Sequence, residues 1–353
     1  MKKLICVLFL LSLLAISLGA CTSTPPATVP PTQPSVPQST VAPTQQSVTP
    51  ITPPTSTPEP QPSPAQKGTI TISGAFALYP MMQIWAEKYQ AINPQVNFDI
   101  SAGGAGKGLT DTLSGAVDIG MVSRAISPAE EAKGAYWVSV SRDAVFPVVS
   151  DKNPVLQDLL KTGLKKDTFI GIYITGTIKT WGQAVGRPEI TDEIHVYTRS
   201  DASGAADAWA QFLGGKKQDN LQGIGVSGDP GIVNAVVGDA NGIGYNNLNF
   251  AFDTTSGKPV TGISVLPIDA NNDGIAGSDE LFSSKTQAVD AVSSGKYPSP
   301  PARFENLVTN GKPSGLLQAF IQWIITDGQK YCLDNGQVPL AADQQSTSLQ
   351  KIR

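Results

Sequence analysis

Histidine is nearly missing from this 353-residue chain; His195 is its single example. That shortage excludes zinc sites of the usual His/Cys spacing. A Ser-His-Asp or Cys-His machine would have only His195 to use, and no Gly-x-Ser-x-Gly elbow is there to carry its nucleophile. His195 stands beside Val196 in a strand-like stretch, where a histidine is ordinarily structural. Cysteine is scarce as well. Of three, Cys6 and Cys21 fall in the N-terminal segment and leave Cys332 without a mate, so the folded part has no intrachain disulfide. In "QKYCLDNG", at the end of an apolar helical pattern, Cys332 reads as a small buried hydrophobe. Charge is thin, with 25 Lys and Arg against 29 Asp and Glu, and the mildly acidic balance argues against nucleic acid as a partner. The apolar run from Leu4 to Leu18 is too short to span a bilayer comfortably. A nucleotide phosphate loop is lacking too: in "GGAGKG" Lys107 is followed by Gly108, not by Ser or Thr.

What is present begins with a leader. Lys2 and Lys3, the apolar run and a small-residue ending make residues 1–20 a secretory signal, and Leu18-Gly19-Ala20-Cys21 resembles a bacterial lipobox. That resemblance implies that Cys21 becomes the lipidated first residue of the mature protein, tied to the outer face of a membrane. Loss of Lys2 and Lys3 moves the net charge from −4 to −6. Residues 21–67 form a linker in which fourteen prolines lie among Thr, Ser and Gln. Such a composition buries too little apolar surface to offset its ordering entropy, and it reads as an extended, disordered spacer.

From Gly68 onward the chain is long enough for one large or two medium domains. "GTITISGA" alternates β-branched and small polar residues into a glycine turn, which predicts a strand. In "YPMMQIWAEKYQAIN", Met82, Trp85, Ala86 and Tyr89 recur at helical spacing behind Pro80, a first-turn residue. "VFPVVSD", "HVYTRSD" and "GIGYNN" are further strands, and "DAWAQFLG", "GIVNAVVGD" and "SGLLQAFIQWIITDGQKYC" are helices. Strands alternating with helices predict an α/β fold with mainly parallel sheets. Glycine-bearing strand-to-helix turns occur at "SGAFALYP", "SAGGAGKG" and "RSDASGAA". Such turns gather at the carboxyl ends of strands, where free amides and helix dipoles favour a small anion.

One metal pattern is present. "DANNDGIAGSDE" sets Asp269, Asn271, Asp273, Gly274 and Glu280 at positions 1, 3, 5, 6 and 12 of an EF-hand-type loop, with Ile275 offering its carbonyl. Ala276 stands where the usual hydrophobic anchor would be. The stretch reads equally as a structural calcium site or as an Asx-rich surface turn.

Several motifs in order resemble the phosphate-binding, lipid-anchored components of ABC importers, which have a two-lobed type II periplasmic-binding-protein fold. "SGAFALYPMMQIWAEKY" is similar to that family's first strand-loop-helix and "SAGGAGKG" to its second glycine turn. "DIGMVSR", "GIYITGTIKTW", "RSDASGAA" and the closing "VTNGKPSGLLQAFIQWIITDGQKYCLDNGQVPL" follow in the family's order. The resemblance implies lobe 1 at 68–148 plus 254–353, lobe 2 at 149–253, mixed and mainly parallel sheets, and a ligand cleft between the lobes. It implies that Arg199 faces the anion, with Ser203, Gly204 and Ala205 around it. Ala75, Phe76 and Ala77 fall at the first ligand loop, Gly103, Gly104 and Ala105 at the second, and Ser123 and Arg124 at a third. Ala75 to Ala77 offer no hydroxyls, and Ala205 stands where threonine is common. Ser123 stands where an acceptor carboxylate would demand a protonated ligand. Arg124 reads equally as a participant through charge or as a solvated helix cap.

The resulting expectation is a monomeric extracytoplasmic lipoprotein, not an enzyme, that captures inorganic phosphate for ABC permease subunits and needs no cofactor. The alternatives are a receptor for sulfate or molybdate, a secreted phosphohydrolase or Ser-Lys hydrolase using Lys107, and a surface sensing or adhesion module.

Overall fold

The computed structural model describes residues 66–353 except Lys216. The signal segment, Cys21 and nearly all of the proline-rich linker lie outside the described residues. Among the described residues, no helix is long and apolar enough to cross a membrane.

The chain opens with β1 (Gly68–Gly74), α1 (Tyr79–Ile92), β2 (Val96–Ala102), α2 (Ala105–Leu113), β3 (Ile119–Val122), the single-turn α3 (Pro128–Glu131) and β4 (Ala135–Ser150). It continues through α4 (Leu156–Thr162), β5 (Leu164–Lys165), α5 (Lys166–Ile170), α6 (Trp181–Val185), β6 (His195–Arg199), α7 (Gly204–Phe212), β7 (Ile224–Val226), α8 (Gly228–Val237), β8 (Gly242–Asn247) and α9 (Leu248–Ala251). The closing part holds β9 (Ile263–Val265), β10 (Ile268–Asp269), α10 (Lys285–Ser294), β11 (Ala302–Asn310), α11 (Gly315–Ile325) and α12 (Ala342–Ile352).

Helix α1 forms where the spacing predicted it, with proline in its first turn and Met81, Met82, Trp85, Ala86 and Tyr89 on the buried face. One sheet runs in the order β2-β1-β3-β11-β4-β8-β6-β7, with β9 alongside β4. β1 pairs in parallel with β2 and β3, and β6 with β7 and β8. β4 and β11 are antiparallel to each other and to their outer neighbours β8 and β3. The fold is therefore the expected mixed α/β one, two parallel halves joined by an antiparallel pair.

Apolar packing divides along that pair. One cluster takes Ile72, Trp85, Val96, Met121 and Phe320, with Val138 and Val140 of β4 and Leu307 and Val308 of β11. The other takes Trp181, Trp209, Ile232 and Tyr245, with Ala144 to Val149 of β4 and Ala302 of β11. These are the two lobes, and β4 and β11 carry the chain between them. The chain returns to the first lobe at β11, later than the residue 254 expected. The reason is Phe146, whose ring collects Phe252 at 5.8 Å, Phe282 at 5.9 Å and Tyr297 at 4.5 Å, so the segment between them packs on the second lobe. Cys332 is fully buried, and burial pushes its thiol up to about 12, as suits an inert hydrophobe.

Candidate functional site

Arg199 ends β6 with 5 % of its surface exposed. Its Nε donates to Asp201 Oδ1 at 2.8 Å and its Nη2 to Asp201 Oδ2 at 2.5 Å, while Nη1 donates to Asp229 Oδ2 at 2.7 Å. Burial works against the arginine's charge, but the two carboxylates outweigh it and push its pKa up. Burial likewise opposes ionisation of Asp201, and the hydrogen bond from Arg199 reverses this and holds the carboxyl low. Asp201 Oδ1 also accepts the Gly228 amide at 2.9 Å, and Asp229 Oδ1 accepts from the Asn247 backbone N at 3.0 Å and Nδ2 at 2.8 Å. The Phe76 ring covers one face of the guanidinium, 5.2 Å from Cζ.

Four residues after Arg199, Ser203 caps α7 by accepting the Ala206 amide at 3.2 Å. As the first helical residues, Gly204 and Ala205 have amides with no intrahelical acceptor, and they point out of the helix's positive end. The capping reading and the anion-seat reading of this loop are thus compatible, because the cap uses one amide and leaves two.

The loops of the first lobe close over this end. The Gly106 amide donates to Ala202 O at 3.0 Å, and a Cβ on Gly104, whose φ is +93°, would stand 2.6 Å from Asp201 Oδ2. A Cβ on Gly228 would stand 2.8 Å from the Phe76 ring. Gly204 lies against Ser123, where a Cβ would overlap Oγ and the carbonyl oxygen and stand 2.7 Å from the carbonyl carbon. Four glycines thus permit a backbone approach between the lobes that no other residue allows.

The expected site residues fare differently in detail. Gly103 and Gly104 direct their amides to Gly74 O, at 2.9 and 3.0 Å, so they shape their loop, and Ala105 opens α2 with an amide that has no acceptor among the described residues. Ala75 donates to Met121 O at 2.9 Å, whereas the amides of Phe76 and Ala77 have no acceptor among the described residues. Arg124 faces Glu130, with contacts of 2.8 and 3.0 Å, and its Nε stands 3.6 Å from Asp207 on α7. It therefore links the lobes and does not simply cap a helix. Lys107 pairs with Asp111, which also accepts the Ser73 hydroxyl at 2.7 Å, so neither residue has the partner a Ser-Lys hydrolase needs. His195 Nδ1 meets Asp239 at 2.7 Å and Asp239 also takes the Tyr197 hydroxyl, a surface network without a nucleophile.

Sequence reading missed Asp201, Asp229 and a buried group on the crossing strands. Asp201 was visible inside "RSDASG", and "VSGDPG" is a fourth glycine-bearing turn that opens α8. Arg303 of β11 reaches Asp143 of β4 at 3.3 Å and Glu305 at 3.5 Å. Burial pushes the Asp143 carboxyl up to about 6 against the pull of Arg303, and it pushes Glu305, whose two oxygens have no hydrogen-bond partner, well above the carboxylate range. A carboxyl held protonated by the fold while the unfolded chain ionises loses stability as pH rises above its unfolded pKa. Glu305→Gln removes that loss, so its melting temperature gains on the wild type as pH rises above about 5. A difference that stays flat with pH in scanning calorimetry would show Glu305 ionised in the fold.

In the 269–280 loop, Asp269 accepts the amides of Asp273 at 3.1 Å and Gly274 at 3.0 Å. Asn271 takes the Asp273 amide at 2.9 Å, and Asp273 takes that of Ile275 at 2.8 Å. Glu280 accepts those of Ala270 at 2.9 Å and Gly277 at 3.2 Å. Among the described residues, no three His, Cys, Asp or Glu side chains gather as a metal-holding group.

A family model described as a PBP superfamily domain matches residues 59–328. The chain is 29 % identical to the phosphate-binding protein PstS of Bacillus subtilis, over 77 % of this chain and 81 % of that one. It is 26 % identical to the protein of the same name from Methanocaldococcus jannaschii, over 76 % and 82 %. A solved structure from Clostridium perfringens, a putative phosphate ABC transporter substrate-binding protein with bound phosphate, shares the fold at a TM-score of 0.61 with 22 % identity, covering 78 % of this chain and all of that one.

Proposed function

Because the chain belongs to the PBP superfamily, and relatives it matches over 81 % and 82 % of their length are named as phosphate-binding proteins, we propose that it is an extracytoplasmic receptor that captures inorganic phosphate for an ABC importer. It is a binding protein and performs no reaction on its ligand. The observation that carries the reading is the meeting of loops from both lobes at the start of α7, beside the buried Arg199. Phosphate is held by the amides of Phe76, Ala77, Ala105, Gly204 and Ala205, with the Ser123 and Ser203 hydroxyls at the edge and Arg199 supplying fixed positive charge. Closure of the lobes then buries it.

In this proposal the protein works as a monomer. Lipid on Cys21 holds it at the outer face of the cell membrane, the 21–67 linker gives it reach, and the closed form docks on the permease. Ser123 favours a second arm of the same reading. With a hydroxyl at position 123 where an acceptor carboxylate would reject a fully ionised ligand, the site leaves sulfate and molybdate in competition. Calorimetric titration with phosphate, sulfate, molybdate and an organic phosphate at two pH values tests this. One-to-one phosphate binding that exceeds the rest supports it, whereas absence of phosphate binding refutes it.

No cofactor is required in this proposal, and amides of the loop itself brace Asp269–Glu280. EDTA then leaves the melting temperature unchanged, and a calcium-dependent rise of several degrees would instead assign the loop as a calcium site.

A further inference from the structure

We propose that Arg303 is a positioning residue for the anion seat, joining the parts that the two lobes contribute; the proposal rests on the phosphate reading above. Arg303 lies on β11, one of the two strands that cross between the lobes, and its side chain is 8 % exposed. Its Nε donates to Ser123 O at 2.8 Å, and Ser123 is the residue against which Gly204 packs at the start of α7. Its Nη2 donates to Asn247 Oδ1. Asn247 grips Asp229 through both its nitrogens, and Asp229 holds Arg199 Nη1 at 2.7 Å. One guanidinium therefore fixes the first-lobe loop that meets the α7 amides, and through two intermediates it fixes the cation of the second lobe.

Geometry makes this a task for arginine. The planar fork sends Nε one way and Nη2 another, and a lysine ammonium reaches one of these partners at a time. Asp143, 3.3 Å from Nη2, offsets the charge from behind, so Arg303 contributes direction more than net attraction for the anion. Without it, Asn247 loses the anchor on its Oδ1, Asp229 is held less firmly, and the Ser123 loop no longer meets Gly204 in register.

The test uses the full-length protein with inorganic phosphate as probe. Arg303→Lys is expected to weaken phosphate binding by about tenfold or more, chiefly through faster dissociation, with the unliganded melting temperature changed by only a few degrees. Combined with Arg199→Lys, the two losses are less than additive, because both act through one chain of contacts. Asn247→Ser cuts the same chain at its middle and substitutes for Arg303→Lys should that variant not fold. Unchanged phosphate affinity in the folded variants, or strictly additive losses, overturns the proposal while leaving phosphate capture intact. Failure of the wild type to bind phosphate overturns both.

Discussion

Arg199→Met abolishes measurable phosphate binding and lowers the melting temperature by about 10 °C. The first effect follows from removing a buried cation at the anion seat, where its guanidinium is oriented by Asp201 and Asp229 and covered by Phe76. The second follows from what the substitution leaves behind. Asp229 is fully buried and Asp201 partly so, and breaking a buried pair by removing one partner costs about 3–5 kcal/mol. At about 2–4 °C per kcal/mol this gives the shift stated. Arg199→Lys separates the two, since it keeps the charge and much of the stability but loses the fork that two carboxylates hold. Differential scanning calorimetry with and without phosphate reads both effects. A variant that still melts higher in phosphate would remove Arg199 from the site.

Gly204→Ala has a comparable effect on binding with almost none on stability. The added methyl would overlap Ser123 Oγ and its carbonyl oxygen, and a backbone oxygen cannot swing aside. Alanine is otherwise acceptable at the start of α7, so the open protein keeps its lobes. Only closure is blocked, and phosphate affinity falls by about a hundredfold or more because the first-lobe donors no longer arrive. A second substitution, Ser123→Gly, does not restore it, since the carbonyl contact persists. Wild-type affinity in Gly204→Ala would mean that the lobes do not meet this way around the ligand.

Local pattern and long-range pairing explain what could be read in advance. The strands "GTITISG" and "HVYTR", the α1 face and the three glycine turns are written within a dozen residues each, in β-branched alternation, helical spacing and small residues before a helix. The family resemblance ordered them and placed Arg199, Ser203, Gly204 and Ser123 in one neighbourhood. The partners of these residues carry no such mark. Asp229 lies 30 positions from Arg199, and Arg303 lies 180 from Ser123. The second pairing exists only once β11 has inserted between β3 and β4. The late return to the first lobe has the same origin, because Phe146 finds Phe282 and Tyr297 across the fold and not along the chain. The Asp269–Glu280 stretch shows the converse. There the donor types are legible to the last residue, yet their spacing in the chain does not decide whether the carboxylates turn toward an ion or toward the amides of their own loop.

A crystal structure of the protein saturated with phosphate is the most direct check. The anion should lie between the lobes, within hydrogen-bonding distance of the Gly204 and Ala205 amides and facing Arg199, with Phe76, Ala77 and Ala105 approaching from the other side. Phosphate found elsewhere on the protein, or a cleft that closes without it under saturating ligand, would contradict that placement.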